Sequence, residues 1–264
     1  MNRLPLEKRV QIINLLVEGM SLRATSRIAG VSINTVTNIL VSVGRACRVF
    51  HDQHVRKIKS AQVQCDEIWA FVYSKEKNTP EEHKGAGVGS VWTWIAMDAD
   101  TKIIISWYVG NRSAEDAYIF MCDVKRRLRN RVQLTTDGYK AYLNAVPDAF
   151  GSRIDYAQLV KLYDSNDRYT GADRRVMLGK PNKKKITTAH IERQNLTMRM
   201  HMRRFARKTN AFSKKIENHC YAQAIYFVYY NFVRIHSTLR VTPAMEAGIT
   251  KEPMEIKDLV ELAD

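Results

Sequence analysis

The sequence predicts an α/β protein: a mixed five-stranded sheet with flanking helices, preceded by an all-α segment. Three observations predict it. Between Val63 and about Phe205, strand-length apolar runs and helix-period stretches follow in the order strand, strand, strand, helix, strand, helix, strand, helix. The first sixty residues carry helical periodicity alone. The charge changes sharply near residue 60, and with these patterns the chain divides into a helical domain (1–50), a linker (51–60), a catalytic-type α/β domain (61–210) and a helical extension (211–264).

At 264 residues, with 45% hydrophobic and 26% charged side chains, the chain can bury a sizeable core. Its 42 Lys and Arg against 27 Asp and Glu leave a formal charge of +15. Such an excess attracts polyanions, of which nucleic acid is the commonest in a cell. The excess sits in two blocks, +7 over residues 1–60 and +12 over 173–215, while 61–172 carry −1 and 216–264 carry −3. Two separated basic blocks favour a polyanion held at two places. No apolar run of eighteen residues and no signal-like start is present, so a cytoplasmic, nucleoid-associated protein with no membrane partner is expected. The four cysteines form no CxxC pair, which argues against a zinc knuckle.

In the first segment Val10, Ile13, Leu16 and Val17 share a helical face, and Gly19 suits a stop. Ser21 can cap a second helix containing Leu22, Ala24 and Ile28. The turn Ala29-Gly30-Val31 leads to Ser32, which can cap a third helix running to about Gly44. Val36, Ile39, Leu40 and Val43 then face inward. Ser32, Asn34, Thr35, Thr37 and Asn38 supply short hydrogen-bonding groups outside. Helix, glycine turn and polar-faced helix make a helix-turn-helix pattern, whose outer side chains reach base edges while Arg45 and Arg48 hold phosphates.

The second segment opens with a strand from Val63 to Tyr73 that carries Asp66 and Glu67 in an apolar run. Buried carboxylates need a neutralising partner, and a bound cation is one. Strand alternation turns Glu67 away from Asp66 and makes it structural. Lys75 to Gly89 reads as a loop. Strands Ser90–Met97 and Ile103–Val109 are joined by Asp98-Ala99-Asp100, which a tight hairpin explains better than a metal. Ser113, with Glu115 and Asp116, starts a helix to about Arg129. Val132–Thr136 is the fourth strand and ends at Asp137-Gly138; a short helix with Tyr139 and Tyr142 follows. Arg153–Tyr163 is the fifth strand. A basic loop with Lys183, Lys184 and Lys185 precedes a helix that starts near Thr187 or Thr188 and carries Glu192, Arg199 and Arg203 on one face. This order matches the ribonuclease-H-like fold, in which the first and fourth strands lie side by side. That fold would bring Asp66 and Asp137 about 5 Å apart across the ladder, with Glu192 closing a triangle.

Three stretches now resemble the IS1 family of bacterial insertion-sequence transposases. Cys-Asp66-Glu-Ile-Trp-Ala-Phe-Val looks like its first catalytic motif, and Thr-Thr-Asp137-Gly-Tyr-Lys-Ala-Tyr like its second. Ile-Glu192-Arg-Gln-Asn-Leu-Thr-Met-Arg, running into Arg207-Lys208-Thr209 and Phe212-Ser213-Lys214, looks like the third and its downstream signature. Tyr230-Asn231-Phe-Val-Arg234-Ile-His236 and Thr242-Pro243-Ala244 are similar to a tail of many such enzymes. The likeness spans nearly all of residues 60–248. The zinc ribbon that family members often carry ahead of the helix-turn-helix has no counterpart here, which leaves end recognition to residues 20–48.

The resemblance implies a DNA transposase that cuts and joins strands with Asp66, Asp137 and Glu192 as metal ligands. It implies two Mg²⁺ (or Mn²⁺) ions per site, no covalent enzyme intermediate, and double-stranded DNA at element ends and target as partner. Two ends must be paired, so a homodimer or higher oligomer is expected. Arg199 and Arg203 would hold phosphates beside the metals. The competing functions are a nuclease on the same core and a non-catalytic DNA-binding regulator derived from a transposase.

Overall fold

The computed structural model describes residues 4–83, 87–206 and 208–264. Residues 84–86 of the expected loop and Arg207 of the downstream signature lie outside them. The chain divides into two compact units. One comprises Met1–His54, Trp69–Val91 and Leu196–Asp264, the other Val55–Ile68 and Trp92–Asn195.

In the first unit, helix α1 spans Leu6–Val17, α2 spans Leu22–Ala29 and α3 spans Ile33–His54. The local chemistry is as the sequence suggests. The Ser21 hydroxyl accepts from Ala24 N at 3.1 Å, and Gly30 ends α2 at φ 65°, a left-handed conformation that suits glycine. Ser32 Oγ accepts from Thr35 N at 3.1 Å and starts α3. The third helix does not stop near Gly44. It continues ten residues further, because glycine there serves packing and not termination.

The remaining elements, in chain order, are β1 (Gln62–Val72), β2 (Gly89–Asp98), β3 (Ile104–Gly110), α4 (Ala114–Arg127), β4 (Gln133–Asp137), α5 (Tyr142–Phe150), β5 (Asp155–Tyr163), β6 (Tyr169–Leu178), α6 (Ala189–His201), α7 (Ile216–Val228), α8 (Pro243–Glu246) and α9 (Ile256–Glu261). A π-helical turn, Tyr229–Val233, follows α7. In the first unit α7 packs along α3, and Arg9 of α1 pairs with Asp264 at 2.6 Å. No helix among the described residues is long and apolar enough to cross a membrane.

Among the described residues the sheet has six strands, not five, in the order β3-β2-β1-β4-β5-β6. The unexpected one is β6, which pairs antiparallel with β5. Its sequence, Tyr-Thr-Gly-Ala-Asp-Arg-Arg-Val-Met-Leu, lacks an apolar alternation because it is an exposed edge strand with no face to bury. Its register with β5, not its own composition, makes it a strand. Strands β1 and β4 are parallel neighbours, as are β4 and β5, while β2 and β3 form an antiparallel hairpin. Asp98 tightens that hairpin turn by accepting from Asp100 N and Thr101 N at 2.8 and 2.7 Å, so its carboxylate is a turn group.

The α/β unit packs Trp94, Phe120, Tyr142 and Tyr156 in its interior, each fully buried. Ser113 caps α4 through Asp116 N at 3.1 Å. Two boundaries differ from the sequence reading. Tyr139 precedes α5, where its N–H bonds Asp137. Helix α6 ends at His201, and a 3₁₀ turn, Arg203–Phe205, follows, so Arg203 is not on the helix face of Glu192.

Candidate active site

Strand pairing brings the carboxylates together. The β1–β4 ladder runs in parallel register from Gln62↔Gln133 to Cys65↔Thr136, so Asp66 and Asp137 are the next residues along each strand. One carboxylate oxygen from each of Asp66, Glu67 and Asp137 lies within 4.8 Å of the others. Asp137 is oriented locally: its Oδ1 accepts from Tyr139 N at 3.0 Å. Asp66 Oδ1 accepts from Glu67 N at 2.9 Å, and its Oδ2 from Asn195 Nδ2 at 2.8 Å.

Helix α6 is anchored to the same strand. The side-chain oxygen of Gln64 accepts from His190 N and Ile191 N at 3.0 and 3.1 Å, so two N–H groups at the start of the helix, which have no partner within it, end on β1. That anchor brings Asn195 to Asp66. Glu192, one turn earlier, accepts from Lys161 Nζ of β5 at 2.7 Å and from Thr188 Oγ1 at 2.5 Å. Glu192 is thus beside the cluster, and its charge raises the pKa of both Asp66 and Asp137. Its own carboxylate, however, is turned to Lys161.

Glu67 does not behave as alternation predicted. Its carboxylate lies in the cluster with those of Asp66 and Asp137. There Arg112 Nη2 and Nε reach Glu67 Oε1 at 2.7 and 2.8 Å, and the buried Tyr142 hydroxyl donates to Oε2 at 3.2 Å. Arg112 lies over the rings of Trp92 and Tyr139, 4.7 and 4.1 Å from their centroids, which fixes the guanidinium. Sequence inspection missed Arg112, Lys161 and Asn195 as partners. Only Asn195 left a trace, three residues after Glu192 and so on the same face of a helix.

The electrostatics of the cluster follow from burial and mutual repulsion. Desolvation first, then Glu67 and Asp137, push Asp66 up to about 7. Desolvation and Asp137 push Glu67 up to about 7 against the pull of Arg112. Asp137 is raised as well, by burial first. Crowded carboxylates that resist ionisation are a donor set for a hard divalent cation, which relieves both costs.

Arg112→Ala tests this balance. It leaves the Glu67 carboxylate, 1% accessible, without its cation beside two more acids. Because the Arg112 side chain is 38% accessible, the expected loss is about 2 kcal/mol, below that of a fully buried pair. The Glu67 pKa rises further in the variant, so the loss is larger at pH 8 than at pH 5. Urea unfolding at both pH values measures it; equal losses would mean that the guanidinium acts only by stacking.

Lys183, Lys184 and Lys185 form an exposed 3₁₀ turn before α6. In the first unit, Ser32 and Thr35 hydroxyls bond each other at 2.8 Å, and Thr37 Oγ1 donates to Ile33 O at 2.8 Å. Asn34 and Asn38 are therefore the exposed amides at the start of α3. Arg45, Arg48 and Arg203 are exposed, and Arg199 is half-buried on α6.

Residues 156–233 match the model of a family described as "IS1 transposase". The chain is 28% identical over 156 residues to the insertion element iso-IS1n protein InsB of Shigella dysenteriae, a match covering 59% of this chain and 86% of that protein. Among solved structures, the piggyBac transposase synaptic complex with hairpin DNA aligns over 98% of this chain and 69% of its own, at 10% identity and a TM-score of 0.52. That likeness is one of fold. The residues matched to the family model include Glu192 and the segment after it, and lie beyond Asp66 and Asp137. The family model and the InsB relative together support an IS1 family transposase.

Proposed function

We propose that this protein is a DNA transposase acting through a ribonuclease-H-like core. In this reading Asp66, Asp137 and Glu192 hold two Mg²⁺ or Mn²⁺ ions. The observation that carries it is the meeting of Asp66 and Glu67, in the middle of β1, with Asp137 at the end of the adjacent parallel strand β4. When bound, such ions supply an activated oxygen nucleophile and stabilise the leaving oxygen of an in-line displacement at phosphorus.

The chain's own residues prepare that centre. Asn195 fixes the rotamer of Asp66 through Oδ2, and Tyr139 N fixes Asp137. Lys161 and Thr188 hold the Glu192 carboxylate in place beside them. Arg112 offsets part of the charge of Glu67, the fourth acid beside the triad. The basic turn Lys183–Lys185 lies in the same unit and would draw a DNA phosphate toward it.

In the other unit, the α2–Gly30–α3 arrangement would serve as a helix-turn-helix. Ser32, Asn34, Thr35, Thr37 and Asn38 would face the major groove, and Arg45 and Arg48 the phosphates. Arg199 and Arg203 would add backbone contacts. Element ends and target duplex are the DNA partners, and the pairing of two ends calls for a homodimer or larger assembly working at the nucleoid.

The test is a strand-cleavage and strand-transfer assay on the ends of the encoding element, with Mg²⁺ or Mn²⁺. Wild type is compared with Asp66→Ala, Asp137→Ala and Glu192→Ala. The wild type should join strands, and each variant should bind DNA and make no product. Variants as active as the wild type would overturn the triad; a wild type that binds and never cuts would favour the regulator.

A further inference from the structure

A groove in the first unit has a composition that the helix-turn-helix alone does not explain. It encloses about 970 Å³. One wall is formed by α2 and the start of α3, with Arg23, Arg27 and Asn34. The facing wall is the segment after α6, with Arg203, Lys208 and Lys214. Among the described residues no Asp or Glu lines it. Cations gathered around an enclosed space without an acid repel one another, an arrangement stabilised when a polyanion lies between them.

The facing wall is held firmly. Ser213 O accepts from Tyr73 N at 2.8 Å, and Val72 and Ser213 form a bridge at the end of β1. Arg204 Nη1 donates to Ser213 Oγ at 2.7 Å and to Asn218 O at 3.0 Å. Phe212 packs on Phe71 with centroids 4.9 Å apart, and the Lys214 ammonium lies 4.6 Å from the Phe212 ring and 5.6 Å from that of Tyr73. Lys214 is thereby set in position before any ligand arrives, which lowers the ordering cost of binding. In the proposed reading the opposite wall is the helix-turn-helix, whose first helix would cross a DNA backbone and whose second would start at the bases.

We infer that this groove grips one phosphodiester strand of duplex DNA, with the Lys208–Lys214 segment as a clamp opposite the helix-turn-helix. The inference rests on the transposase reading and adds to it a second wall and a purpose for the Lys-Thr and Phe-Ser-Lys signature. Contacts to phosphate carry no base information, so the clamp strengthens binding to every duplex alike, and sequence preference stays with the α3 amides.

The experiment is fluorescence anisotropy with a labelled element-end duplex and an unrelated duplex, between 50 and 200 mM salt, at roughly the range where phosphate contacts show. The proteins are wild type, Arg23→Ala/Arg27→Ala, Lys208→Ala/Lys214→Ala and a control pair outside the groove, Lys251→Ala/Lys257→Ala. All substituted side chains are exposed, and circular dichroism melts check folding. Each groove pair should lower affinity about tenfold on both duplexes and reduce the salt slope by about 2, while the control stays within about twofold of wild type. Groove pairs that match the control overturn the clamp, as does a loss confined to Arg23 and Arg27. A wild type stabilised by a free mononucleotide but not by duplex would make the groove a small-anion pocket and overturn it too. If the wild type still joins strands while the groove pairs are silent, the clamp alone falls; if the wild type neither binds nor joins DNA, the transposase reading falls with it.

Discussion

Asp66→Asn should lower strand transfer on the order of a thousandfold and, in the same protein, raise the melting temperature of the metal-free form at pH 8. The two effects have one cause. In the fold, burial and the neighbouring Glu67 and Asp137 hold Asp66 at about 7, against an ordinary value of 3.8. An acid whose folded pKa lies above its unfolded one weakens the fold as pH rises between the two values. The penalty is absent below about pH 4 and complete above about pH 7. At ~1.4 kcal/mol per unit its ceiling is on the order of 4 kcal/mol. Asparagine has one acceptor oxygen where the carboxylate uses two, for Glu67 N and Asn195, so the net gain should be about 2 kcal/mol. A divalent cation should reverse the order: millimolar-range Mn²⁺ stabilises the wild type by mass action, and the variant gains little. Thermal melts at pH 4 and pH 8, with and without Mn²⁺, separate the two terms. Identical melts at pH 8, or an equal Mn²⁺ shift in both proteins, would remove Asp66 from the metal site.

Gly44→Leu should cost the first unit more than any exposed substitution in it. A Cβ at Gly44 would touch Tyr221 Cβ and lie 2.7 Å from the Tyr221 carbonyl oxygen and 2.9 Å from its carbon. Two of those three atoms are backbone, so relief requires that α7 move away from α3. Even Gly44→Ala, which intrinsic helix propensity favours by about 1 kcal/mol, should destabilise by about 2 kcal/mol, because the close approach outweighs propensity. For leucine the loss should reach about 3 kcal/mol or more. Chemical unfolding of both variants reads this directly. A stabilised Gly44→Ala would mean that α3 and α7 lie further apart, with glycine merely tolerated in the helix.

Gly44 also marks a limit of reading residues one by one. A glycine after an apolar helical face is a good stop signal, as Gly30 is, where φ is 65° and nothing lies within 4 Å of an added Cβ. At Gly44 the same residue type answers a neighbouring helix 177 positions away in sequence, and no local pattern distinguishes the two uses.

What the amino-acid order determined here is whatever short-range chemistry controls. The serine caps at Ser21 and Ser113, the Asp98 hairpin and the succession of strands and helices all follow from hydrogen bonds and periodicities spanning a few residues. The tertiary structure decided the rest. It made an exposed, poorly patterned segment into β6 by pairing it with β5, and it ended α6 before Arg203. It drew Glu67 into the carboxylate cluster and supplied Arg112, Lys161 and Asn195 as partners. Alternation states which side of a strand a Cβ leaves from. Where the end of a long polar side chain comes to rest depends on the charges that other elements bring within its reach, and those lie 31 to 129 residues away.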